Sequence, residues 1–169
     1  INYIDLTGGT ETGRKVASQA GQRLVESTME LGGKTPIIVC EDTEIDAAVA
    51  GVLFAAFVAS GQTCVAGSRI IVQKNIYNIF IEKLAARAAL IKLGDPMDLS
   101  TQMGPVISKS ALERCHYFIA KAQSEGGRQV AGTEELDLND PFASGYYIRP
   151  TIFADVQPHH LLFKDEVFG

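Results

Sequence analysis

The chain has 169 residues, 46% hydrophobic and 21% charged, with a formal net charge of −5 and a pI near 5.2. That balance suits a folded domain of ordinary size, or a piece of a larger protein, and is too apolar for a disordered chain. It has no basic stripe, so neither nucleic acid nor an anionic membrane is an expected partner.

The three cysteines, Cys40, Cys64 and Cys115, lie far apart and form no C-x-x-C pair. An odd, scattered set argues against a disulfide framework and a structural zinc site, so no metal is expected and a reducing, cytoplasmic location fits best. The longest apolar run, 47–59, falls short of the roughly 18–20 residues of a membrane span and reads as a buried helix. The chain opens with no basic-then-apolar stretch, so a secretory leader is not expected. It begins on "INYIDLTGG" and closes on "KDEVFG", both of which read as cut from inside a longer protein, so a fragment is expected.

In chain order, residues 2–6 form a short β-prone run, followed by the glycine-rich turn "TGGTETG". A helix is predicted from Thr10 to about Gly21, with Glu11 well placed near its positive end. Residues 24–31 alternate apolar and polar and read as a strand ended by Gly32 and Gly33. "TPIIVC" is a continuous apolar run suited to a strand buried on both faces.

Asp42 or Thr43 can cap a helix over about 44–59, with Thr43 and Asp46 at capping-box spacing. Its body is apolar almost all round, which predicts burial. Residues 69–73 read as a strand. Residues 76–93 read as an amphipathic helix ended at "GDPMD", and 108–125 as a second one closed by Gly126 and Gly127. "RQVAG" and "YYIRPTIFADV" read as strands flanking the polar loop "TEELDLNDPFASG". Strands alternating with helices predict an α/β fold, a mainly parallel sheet with helices on both faces.

Four stretches can carry chemistry. "TGGTETG", between a strand and a helix, could present amides to a phosphate, or be a plain turn, since Gly8, Gly9 and Gly13 do not match G-x-G-x-x-G. In "MELGGK", Glu30 ends a strand ahead of two glycines. It could be a general base, provided burial makes it more basic, or an exposed strand-end carboxylate. In "GQTCVAGSR", Gly61, Ala66 and Gly67 leave room for a substrate to reach Cys64, a thiol that needs local help to act as a nucleophile. Cys40 and Cys115, among apolar neighbours, read as inert core residues. "DEVFG" places a carboxylate and an aromatic two residues apart, on the same side of an extended chain, where they could grip a ribose and lean on a planar ring.

Taken together and in this order, "LTGGTETGR", "ELGGK", "GQTCVAGSR" and "DEVFG" resemble the aldehyde dehydrogenase superfamily. "GDPMDLSTQMGPVIS" and "GYYIRPTIFADV" extend the resemblance over essentially the whole chain. It implies an NAD(P)-dependent enzyme of three-layer α/β/α architecture that oxidises an aldehyde to a carboxylic acid. In that chemistry Cys64 is the nucleophile that passes through a thiohemiacetal and a thioester, and Glu30 is the base that activates the hydrolytic water.

The resemblance further implies cofactor contacts, NAD or NADP, at Gly8 and Gly9 in the turn, at Leu31 and Gly33 beside the nicotinamide, and at Glu166 on its ribose and Phe168 on its ring. Many family members have serine where this chain has Gly9, so a hydroxyl contact is missing here. Thr63 and Val65 flank the nucleophile and line the substrate pocket. Arg69 is assigned the role of holding the cysteine loop.

On the same grounds residues 1–30 are the end of the dinucleotide-binding domain, and 31–169 are the catalytic domain, truncated at its C-terminal end. The remaining cofactor contacts and one oxyanion donor then lie outside this chain, which is expected to be inactive alone. Relatives form dimers and tetramers, so the parent enzyme is expected to be a homo-oligomer acting on a small aldehyde, with no membrane partner. The alternatives are a CoA-acylating relative, against which Glu30 counts, and a non-catalytic relative that keeps the fold. A cysteine hydrolase would want a histidine partner motif that His116, His159 and His160 do not provide.

Overall fold

The structure, a computed structural model, describes residues 1–134, 136 and 144–169. The chain divides into two compact units, Ile1–Gly33 and Lys34–Gly169. Most of the polar loop expected between the last two strands lies outside the described residues.

In the first unit, β1 (Tyr3–Thr7) and β2 (Glu26–Glu30) pair in parallel, Tyr3 opposite Glu26 through Thr7 opposite Glu30, around the crossover helix α1 (Thr10–Gln22). α1 starts where the sequence places it, with Gly9 as its N-cap. Its far end differs from the expectation of a strand beginning at Leu24. Leu24 adopts a left-handed conformation (φ 54°), and the amides of Leu24 and Val25 close back onto the carbonyls of Gly21 and Ala20. These bonds satisfy the helix's last carbonyls and delay the strand to Glu26.

In the second unit, β3 (Thr35–Val39) and β4 (Gly67–Val72) are parallel neighbours joined through α2 (Ile45–Phe57). α3 (Tyr77–Ala89), α4 (Lys109–Ser124), β5 (Arg128–Ala131), β6 (Ile152–Ala154) and the short α5 (Leu161–Lys164) follow. α4 begins one residue after the expected start, because Ser108 is its N-cap, the Ser108 hydroxyl accepting from the Ala111 amide at 3.2 Å. One core gathers Val39, Val49, Val52, Leu53, Phe80, Leu84, Ala88 and Ala131, and a second Met103, Val106, Ala111, Cys115 and Ile148. Phe57 packs against both.

Two of the three strand pairs are parallel, in keeping with the α/β class, but among the described residues the strands pair in twos rather than in one sheet. The β5–β6 pair is antiparallel. The expected long last strand shrinks to Ile152–Ala154, because Pro150 offers no amide and biases Arg149 before it.

β3 is buried on one face only, since Ile38 and its partner Ile71 are 71% and 51% exposed. α2 likewise buries one stripe and leaves Phe54 72% exposed, so its all-round apolar surface does not mean all-round burial. Its N-cap is Glu44, with no side-chain cap, so the expected capping box does not form. The third helix ends at Ala89 rather than near residue 93.

Candidate active site

Cys64 is reached through an unusual piece of backbone. α2 ends at Phe57, and Ala59, Ser60 and Gly61 then take left-handed conformations in succession (φ 51°, 56° and 74°). Only the glycine does so without cost. The strained residues are held from outside. The buried Ser60 hydroxyl donates to the Gly104 carbonyl at 2.9 Å, and the Gln62 side chain accepts from the Ile107 amide at 2.9 Å and donates to the Ala59 carbonyl at 3.3 Å.

The loop therefore leans on the 104–107 segment and presents Cys64 exposed. Val65 beside it is 73% exposed. The Thr63 hydroxyl is buried and has no hydrogen-bond partner among the described residues.

Cys40 departs from its expected core position. It follows β3 and is exposed, whereas Cys115 on α4 is 3% exposed and burial pushes its thiol pKa up. Arg69 also departs from expectation. Its Nε donates to the Lys34 carbonyl at 2.7 Å, and its guanidinium lies 5.3 Å from the centroid of the Phe163 ring, so it fastens the start of β3 and α5 rather than the cysteine loop. Next to it, the Lys34 pKa is lowered to about 8, first by burial and then by the Arg69 charge. Glu166 and Asp165 pull in the opposite direction.

The "DEVFG" segment differs from the extended chain expected. Phe168 sits at φ 58°, so the alternation that would place Glu166 and Phe168 on one side is broken. Glu166 is half-buried and Phe168 is 37% exposed. Two carbonyls of the segment are bound by Arg114 of α4: its Nε donates to Val167 at 2.6 Å and its Nη2 to Phe168 at 3.0 Å. The segment also touches the cysteine loop. A Cβ on Gly61 would lie 3.0 Å from the Gly169 carbonyl carbon and 3.1 Å from its oxygen, so these two backbones pack directly on each other.

The first unit holds the other candidate groups. The Gly8 amide donates to the Glu30 carbonyl at 3.0 Å, placing the glycine turn and Glu30 side by side at the C-terminal ends of β1 and β2. That end of a parallel pair is where ligands of α/β folds bind. A Cβ on Gly9 would meet nothing within 4 Å, and one on Gly8 only Leu6 Cδ1 at 3.9 Å, so the approach to the first amides of α1 is open to an anion. Leu31 packs over Gly13, where a Cβ would come within 2.6 Å of it. Gly33 and Glu30 are exposed, so Glu30 stands here as a strand-end carboxylate open to solvent.

Among the described residues no group of three or more His, Cys, Asp or Glu is placed to hold a metal ion, and no helix is long and apolar enough to cross a membrane. Ser60, Gln62 and Arg114 were not singled out by sequence reasoning. Gln62 stood in the quoted motif, whereas the partners of Ser60 and Arg114 lie far along the chain.

Comparison with known proteins adds an independent line. The model of the "Aldehyde dehydrogenase family" matches residues 1–169. A betaine aldehyde dehydrogenase of Cereibacter sphaeroides is 43% identical over 169 residues, 100% of this chain and 34% of that protein. The crystal structure of betaine aldehyde dehydrogenase from Staphylococcus aureus in complex with NAD+ superposes with a TM-score of 0.95 at 34% identity, covering 100% of this chain and 33% of that one. Aldehyde dehydrogenase C of Pseudomonas syringae, a mutant complexed with NAD+ and octanal, gives a TM-score of 0.93 at 32% identity, covering 100% and 34%. The chain thus spans about a third of the length of the curated relatives it matches.

Proposed function

The chain belongs to the aldehyde dehydrogenase family, and we propose that it contributes the nucleophile and the general base of an NAD(P)-dependent oxidation of an aldehyde to a carboxylic acid. What supports this most directly is the placement of Cys64. It is an exposed thiol on a strained loop held by Ser60 and Gln62, and that loop is in backbone contact with the segment that bears Glu166 and Phe168.

In this reading the deprotonated Cys64 sulfur adds to the aldehyde carbon, and the carbonyl oxygen takes the negative charge. Backbone amides, the Cys64 N–H among them, are the donors suited to that oxyanion. When bound, the nicotinamide supplies the acceptor for the hydride that leaves the same carbon as the C=O re-forms. An acyl thioester remains on Cys64. Glu30 takes a proton from water as the water adds to the thioester, and the acid departs with return of the thiolate.

Gly8 and Gly9 present the α1 amides to the pyrophosphate, Glu166 binds the nicotinamide ribose hydroxyls, and Phe168, Leu31 and Gly33 flank the ring. Thr63 and Val65 line the aldehyde's approach. Residues 1–30 end the nucleotide-binding domain, and 31–169 form part of the catalytic domain of a longer cytoplasmic enzyme, a homo-oligomer that uses no metal and binds no nucleic acid or membrane.

Similarity to proteins named betaine aldehyde dehydrogenase makes a quaternary-ammonium aldehyde the first substrate to offer. The test is nicotinamide reduction by the full-length protein carrying this sequence, with betaine aldehyde and octanal, NAD+ or NADP+, with and without CoA. Free acid formed without CoA, and lost in Cys64→Ala and Glu30→Gln, supports the reading. Turnover only with CoA moves the protein to the acylating branch and leaves Glu30 without its task. The 169-residue chain alone should show negligible turnover.

A further inference from the structure

Arg114 stands out as a long-range fastening that the mechanism above does not use. It lies on α4, at the back of the segment carrying Glu166 and Phe168, and the geometry of the contact is specific. One guanidinium bridges two successive carbonyls, Val167 at 2.6 Å and Phe168 at 3.0 Å. Two donors at the fixed angle of a planar fork set the orientation of both peptide planes, which a single point of attachment cannot do. Between these carbonyls the chain turns through the left-handed conformation of Phe168 (φ 58°), one that a bulky L residue holds only when its surroundings impose it.

The next residue of α4 completes the mount. A Cβ on Gly169 would collide with Cys115 Sγ, so the backbone of residue 169 lies flush on the helix, and from there its carbonyl meets Gly61 of the cysteine loop. Val167 packs into the core that contains Cys115. α4 is therefore the common support that sets the spacing of Glu166 and Phe168 from the Cys64 loop.

We propose that Arg114 is a positioning residue for the nicotinamide half of the dinucleotide. By fixing the two carbonyls it holds the Glu166–Phe168 segment in the one shape that receives the ribose and ring opposite Cys64. This rests on the cofactor reading above. The cysteine loop itself does not depend on Arg114, because Ser60 and Gln62 tie it separately to residues 104–107. Loss of the guanidinium should thus be felt in cofactor binding and not in the thiol.

The experiment uses the full-length enzyme carrying this sequence, with the Arg114→Met and Arg114→Lys variants. Arg114→Met should raise KM for the nicotinamide cofactor at least tenfold. The aldehyde KM, and the rate at which iodoacetamide alkylates Cys64 in cofactor-free enzyme, should stay within twofold. Arg114→Lys, which retains charge and most of the bulk but reaches one carbonyl, should fall between and keeps the test open if the methionine variant does not fold. An unchanged cofactor KM in the folded variants, or a rise matched by an equal change in Cys64 alkylation, overturns the proposal. A wild-type enzyme with no cofactor-linked aldehyde turnover overturns the cofactor reading and this proposal together, an outcome distinct from an active enzyme indifferent to Arg114.

Discussion

Ser60 offers a test of whether the turn before Cys64 is strained and externally held, because its two properties can be removed one at a time. Its side chain is 6% exposed, its hydroxyl donates to the Gly104 carbonyl at 2.9 Å, and its backbone sits at φ 56°. Ser60→Ala deletes the bond and keeps the strain, leaving a partly buried carbonyl unpaired at a cost of about 1–2 kcal/mol. For a chain of this size 1 kcal/mol moves Tm by about 2–4 °C, so the alanine variant should melt about 2–8 °C below wild type.

Ser60→Gly deletes the same bond but relieves about 1–2 kcal/mol of left-handed strain, against about 0.4–1 kcal/mol of added unfolded-chain entropy. The glycine variant should therefore be more stable than the alanine variant by about 0.5–1 kcal/mol, the reverse of the order these residues show inside helices and strands. Urea unfolding of the three proteins in parallel decides the point. A glycine variant less stable than the alanine variant, or an alanine variant indistinguishable from wild type, refutes the account of this turn.

Gly61→Ala faces both a positive φ of 74° and a Cβ only 3.0 Å from the Gly169 carbonyl carbon, so it should lose at least about 2 kcal/mol in the same assay. Native alkylation followed by peptide mass spectrometry should label the exposed Cys40 and Cys64 well before Cys115, which is buried and whose thiol is held protonated to higher pH; equal labelling of all three contradicts the packing of α4. Lys34 loses its proton at about 8 in the folded chain, against 10.5 as its ordinary value, so below pH 8 the fold carries the penalty of a partly desolvated charge. That penalty fades as the pH rises from about 8 to 10.5, because over this window the unfolded chain binds the extra proton. Lys34→Met should accordingly be more stable than wild type at pH 7 and lose that lead by pH 10.5, and a lead that grows with pH would falsify the depressed value.

What was legible in the sequence is what depends on neighbours along the chain. The strand, glycine turn and helix at residues 3–22, the amphipathic helix α4 and the exposed thiol at Cys64 follow from local spacing and turn chemistry. Three kinds of feature were not. An apolar run such as 35–40 reports what a strand could bury, not what covers it, so Ile38 and Cys40 proved exposed. Left-handed residues without glycine or asparagine carry no signal, which hid Leu24, Ala59, Ser60 and Phe168. Side-chain bonds across 44 or 53 residues, from Ser60 and from Arg114, leave no trace in spacing at all.

The location of the strain itself bears on function. Among the described residues five non-glycines have positive φ, and three of them, Ala59, Ser60 and Phe168, fall in the two segments that carry Cys64 and the Glu166–Phe168 group. Each is fixed by bonds from elsewhere in the second unit: Ser60 by Gly104, the Ala59 carbonyl by Gln62, which is itself fixed to Ile107, and the Phe168 carbonyl by Arg114. Leu24, by contrast, closes a helix through local backbone bonds. Conformations that cost about 1–3 kcal/mol each persist only where the surroundings over-determine them. Here the surroundings are α4 and the 104–107 segment, which bear no candidate catalytic group of their own. Substitutions at Gly104 or Ile107 should therefore be felt first in the geometry around Cys64, those at Arg114 first in the Glu166–Phe168 segment, and both only second in the stability of the fold.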